Sequence, residues 1–197
     1  MNRIADRGAI TAAYVGIGMA VTIAISFVLV IPIEAVVWLL ALPSGVMIGY
    51  YANARSNRSA GPWHRILTNA VFAAAVTGLT TALLLLGTKA LFFYADTGYP
   101  DFNRADKAGK PIPPYCETGA SCVYARYVAA GREAEMAAAG VTDPTTFGAL
   151  YWREQVGTSL IVFGLTTVGG LIGGGLYGTF RPKPQAVTPT SPAAGAA

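Results

Sequence analysis

The chain has 197 residues, 53% of them hydrophobic and 12% charged, with a formal net charge of +4. A soluble domain carries about 25% charged residues, so this composition, with a mean hydropathy of +0.47, excludes an ordinary soluble domain and points to a membrane protein. The basic excess forms no dense run and is read as sorting by membrane side, not as a nucleic-acid patch. One His and two Cys are too few for most protein-ligated metal centres.

Four apolar stretches follow in order. The first, Gly8 to Ile31, is uncharged, and its 24 residues exceed the roughly 20 needed to cross a bilayer. It is too long for a signal-peptide core and is read as a retained helix. The second runs from Ile33 to Ala52. Pro32 lacks an N–H and disfavours helix at Ile31, which predicts a tight hairpin at Ile31–Pro32–Ile33. A rival reading breaks the second stretch at Pro43-Ser44-Gly45, so that it enters and returns without crossing. The third runs from Ile66 to Tyr94 and the fourth from Val156 to Phe180. All four are too continuously apolar for barrel strands, so they read as helices.

Between the third and fourth stretches lies a segment of about 60 residues. Its first part, Asp96 to Tyr115, reads as irregular. Val123 to Gly140 reads as one short helix stopped by Gly140. Asp143 and Pro144 are an N-cap and first helical residue, predicting a helix that continues through Trp152 into the fourth span. The segment from Pro182 onward is rich in Pro, Ala and Thr and reads as disordered. The expected organisation is therefore residues 1–95 with three membrane helices, 96–155 as an extracytoplasmic loop, 156–181 as the fourth helix and 182–197 as a cytoplasmic tail.

Charge sets the sides. The N-terminus, the segment from Asn53 to Arg65 and the stretch after the fourth helix carry seven Lys/Arg and one acid, Asp6. Short basic segments stay in the cytoplasm. Both termini are therefore expected inside a plasma (inner) membrane and the long loop outside. Tyr50, Tyr51, Trp63, Tyr177 and Phe180 mark the inner boundary; Phe92, Phe93, Tyr94, Tyr99, Tyr151 and Trp152 mark the outer one.

The only cysteines, Cys116 and Cys122, enclose five residues. In an oxidising compartment that reads as a small structural disulfide rather than a C-x-x-C redox pair or a metal site. Small residues recur every four positions: Gly8, Ala12, Gly16, Ala20 and Ala24; Ala70, Ala74, Gly78 and Ala82; Gly170, Gly174 and Gly178, with Gly169 and Gly173 one row over. Such faces let backbones approach in lipid. They pack the bundle itself or, on the glycine-rich fourth helix, a partner protein or second copy. Glu34 and Lys89 are the charges nearest the hydrocarbon and read as a boundary ion pair or as snorkelling side chains, with ion handling as the alternative.

No P-loop, dinucleotide fingerprint, H-E-x-x-H or nucleophile elbow is present. The loop layout is similar to that of the tetraspanins, but their Cys-Cys-Gly is missing and the likeness is one of layout alone. The expectation is an all-α integral membrane four-helix bundle with a large extracytoplasmic loop. It is expected to act without enzymatic activity or cofactor, as a structural or accessory subunit of a larger membrane complex. The alternative is a subunit of an oligomeric transporter or channel; an enzyme using the cysteine pair comes third.

Overall fold

The computed structural model describes residues 5–29, 34–56, 61–95, 108, 118–129 and 131–181, with side chains left undescribed at 27–29 and 34–37. Every regular element among them is an α-helix: α1 (Arg7–Leu29), α2 (Glu34–Ala54), α3 (Trp63–Tyr94), α4 (Ala120–Ala129), α5 (Glu133–Ala138) and α6 (Pro144–Phe180). The expected hairpin at 31–33, the irregular stretch 96–115 and the tail 182–197 lie outside the described residues.

Among the described residues, three helices are long and apolar enough to cross a membrane: Arg7–Ser26, Trp63–Tyr94 and Pro144–Phe180. They mark the chain as a membrane protein. α2 runs unbroken through Pro43, so the re-entrant break expected as a rival reading at Pro43-Ser44-Gly45 does not occur. Asp143 caps α6 as expected: its Oδ1 accepts from Thr145 N at 2.8 Å and Thr146 N at 3.1 Å. The helix then continues for 37 residues into the fourth apolar stretch.

The four long helices pack side by side. α2 and α3 lie between α1 and α6, and the most extensive contact joins α2 to α6. Gly8 at the start of α1 abuts Ala52 and Ser56 at the end of α2, so these two run antiparallel. Gly45 and Gly49 of α2 meet Thr166 and Gly170 of α6 in the same order, so that pair runs parallel. The interior is built mainly from small side chains, among them Ala12, Ala52, Ala70, Ala73 and Ala74, all fully buried. Leu39, Leu83 and Leu160 instead turn outward and are exposed. In lipid that inside-out distribution is neutral, because hydrocarbon accepts leucine as readily as a core does.

The sequence predicts one helix from Val123 to Gly140, whereas there are two. Gly131 adopts φ 73°, a left-handed conformation that ends α4. Gly131 N donates to Val128 O at 2.9 Å and Arg132 N to Tyr127 O at 3.0 Å, the paired bonds of a Schellman stop. The guanidinium of Arg132 then lies 4.3 Å from the centre of the Tyr127 ring. Gly140, at φ 77°, ends α5 the same way, with Val141 N donating to Met136 O at 2.9 Å.

Candidate functional site

The glycine rows of α6 are divided between two neighbours. On Gly169 or Gly173 a methyl group would strike the carbonyl oxygens of Leu42 or Val46 on α2. On Gly170 or Gly174 it would strike Ala74 or Ala70 on α3, and at Gly174 the separation from Ala70 Cβ would be only 2.7 Å. A Cβ on Gly178 would come within 2.5 Å of the Trp63 ring, and one on Gly78 of α3 within 3.0 Å of Thr166 Cβ. Gly16 of α1 fits against the Thr77 hydroxyl, and Ala20 is fully buried. The expected packing face is thus covered from within the chain, and its apparent excess over one neighbour is accounted for by a second.

A different set of glycines is uncovered. A Cβ on Gly157, Gly164 or Gly175 would meet nothing within 4 Å among the described residues. Gly157 and Gly175 are 18 residues, five full turns, apart and Gly164 falls within about 20° of them, so the three share one side of α6. Val168, Leu171 and Ile172 beside them are exposed. Periodicity of four, the signal used to find small-residue faces, passes over this spacing of seven and eleven.

Four hydroxyls buried in the seams are satisfied by their own helices. Thr77 Oγ1 donates to Ala73 O at 2.9 Å, Thr81 to Thr77 O at 2.9 Å and Thr166 to Val162 O at 2.8 Å. Ser44 does the same to Ala41 O at 2.9 Å. Such back-bonding lets a polar side chain sit in an apolar seam without a partner across it.

The end where α1 and α3 begin and α2 and α6 finish is held by polar side chains. Asp6 Oδ1 accepts from Ala9 N at 3.0 Å. Its Oδ2 accepts from Asn69 Nδ2 at 2.9 Å and from the Ser56 hydroxyl. Burial alone would raise the Asp6 carboxyl, but the bonds from Ser56, Ala9 N, Asn69 and Gly8 N outweigh it and hold the group below its ordinary 3.8. Asn53, 2% exposed, donates through Nδ2 to Gly49 O at 3.1 Å and to Ile66 O at 3.0 Å, tying α2 to α3. Arg181 Nη1 donates to Gly61 O at 2.7 Å, tying the end of α6 to the approach to α3.

At the opposite end α4, α5 and the first turns of α6 fold over the end of α3. Phe93, Val123, Met136, Val141, Phe147 and Tyr151 form a buried cluster there. Phe93 stacks on Tyr151 at 4.8 Å and 24°, and Phe147 meets Tyr127 edge-on at 5.0 Å. Tyr94 and Trp152 stack at 5.7 Å on its flank.

Cys122 is 5% exposed on α4 and is not a free thiol; Cys116 lies outside the described residues. Lys89 is half-buried near the end of α3, while the Glu34 side chain lies outside the described ones. No three His, Cys, Asp or Glu side chains gather among the described residues. Comparison with family models, with curated proteins and with solved structures finds no match.

Proposed function

We propose that the chain is a non-enzymatic structural or accessory subunit that packs into a larger membrane protein complex. In this reading α1, α2, α3 and α6 form a four-helix membrane bundle with both termini cytoplasmic, and residues 96–155 stand on the extracytoplasmic side. The excess of arginine at one end of the helices supports that orientation. Cys116 and Cys122 close a small disulfide loop at the start of α4, supported by the absence of a free cysteine among the described residues.

The observation that carries the reading is the uncovered glycine face of α6. Glycine in a helix interior costs roughly 0.5–1 kcal/mol relative to alanine. At Gly169 or Gly173 that cost secures close approach to α2. At Gly157, Gly164 and Gly175 nothing in the described chain gains from it, whereas a membrane helix of another protein would. Transport, the other expectation, finds less support: seam hydroxyls turn back on their own helices and α2 continues through Pro43.

The test is native mass spectrometry after mild-detergent purification from the native membrane. Different proteins arriving at fixed ratio, and lost from Gly164→Leu while the fold persists, is the expected result. A homo-oligomer alone would favour transport, and a bare monomer would end the subunit reading.

A further inference from the structure

The two ends of the helices differ in charge. Arg7 opens α1, Arg55 follows α2, Arg65 lies in the first turn of α3 and Arg181 follows α6. The Asp6–Ser56, Asp6–Asn69 and Arg181–Gly61 bonds bring these four segments together. Asp6 is the only acid the sequence places in them. Its carboxylate is occupied by Ser56, Asn69 and the Ala9 amide. Arg7, Arg55 and Arg65 are exposed. Beside them Tyr50, Trp63 and Phe180 are 45%, 48% and 75% exposed, and the amphipathic rings of Tyr and Trp favour the depth where headgroups begin.

We infer that this end is a docking surface for anionic lipid headgroups of the surrounding leaflet. Guanidinium groups bind phosphate oxygens as paired donors. A zwitterionic lipid brings its own cation beside the phosphate and gains little from the three exposed arginines. An anionic lipid brings a net negative charge and is drawn in. The inference needs the chain to sit in a membrane, but it does not depend on any protein partner, so loss of the subunit reading leaves it standing.

Trp63 reports on this surface once the other two tryptophans, Trp38 and Trp152, are replaced by phenylalanine, and that background is used throughout. The full-length chain is reconstituted in vesicles of equimolar phosphatidylglycerol and phosphatidylcholine, with bromine on the acyl chains of one lipid or the other. Tryptophan quenching measures which lipid is nearby. Brominated phosphatidylglycerol is expected to quench more strongly, with a local enrichment of about five-fold per engaged arginine at low salt. That excess falls as salt is raised, is retained in Arg55→Lys/Arg65→Lys and is reduced several-fold in Arg55→Gln/Arg65→Gln. Equal quenching by the two lipids in the chain that keeps Arg55 and Arg65 overturns the inference. So does an excess that salt does not weaken, a readout that leaves every arginine in place.

Discussion

Gly45 of α2 and Thr166 of α6 meet backbone to backbone, with no room between them for a methyl group. The same holds one turn on, where Gly49 meets Gly170. The α2–α6 contact is therefore set by absent side chains, and its strength comes from close van der Waals packing rather than from hydrophobic burial, which lipid does not reward.

Alanine substitution at two kinds of glycine should have opposite signs. Gly45→Ala or Gly173→Ala forces α2 and α6 apart and should cost about 1–3 kcal/mol. Gly164→Ala or Gly157→Ala adds a methyl to open space and should be neutral or stabilising by up to about 1 kcal/mol in the isolated chain. Thermal unfolding of the purified protein in detergent checks both, and equal effects at the two kinds of site would refute the seam as drawn.

Asp6 should make the fold acid-sensitive only at low pH. Its folded value lies below the ordinary 3.8, so its contribution is complete above that value and is lost as pH falls through the folded one. The difference in melting temperature between the unaltered chain and Asp6→Asn should stay constant from about pH 7 to pH 5 and close below about pH 4. The group remains largely solvated, so the difference itself should be under about 1 kcal/mol.

Asn53→Asp should be worse than Asn53→Ala. The amide nitrogen serves two carbonyl oxygens, Gly49 O and Ile66 O. Alanine removes the donor and leaves Ile66 O without that bond, costing about 1–3 kcal/mol. A carboxylate would place negative charge against both oxygens in a buried position. Denaturant or thermal melts rank the two variants, and the reverse order would count against the placement of Asn53.

Phe147→Ala should empty the cluster under α4. Phe147 is 1% exposed and touches the rings of Tyr124, Tyr127 and Tyr151. The loss should be about 3–5 kcal/mol, confined to the cap. Limited trypsin digestion should then cut at Arg126 and Arg132 many times faster while the long helices stay intact. Unchanged cleavage would show that α4 is held by something else.

Much of the fold was legible in residue order. Apolar runs located the long helices, Asp143-Pro144 announced the start of α6, and Gly140 marked the end of α5. Gly131 was not legible as a stop, because glycine inside an otherwise helical run has the same letter whether it continues or reverses the chain. Recurrence every four residues found the packed faces of α6 but not which neighbour takes each row, since period fixes a face and not its occupant. That recurrence does not pick out the uncovered glycines, because their spacing is longer. Asp6, Ser56 and Asn69 are 50 and 63 residues apart in sequence. Nothing local announces that they meet.

α6 is one uninterrupted helix of 37 residues, about 55 Å from end to end. It begins inside the aromatic cap and finishes beside the arginines, with no reversal or break between them. One hydrogen-bonded ladder therefore joins the aromatic cap to the arginine-bearing end, and between the two it lies against α2 along the glycine seam.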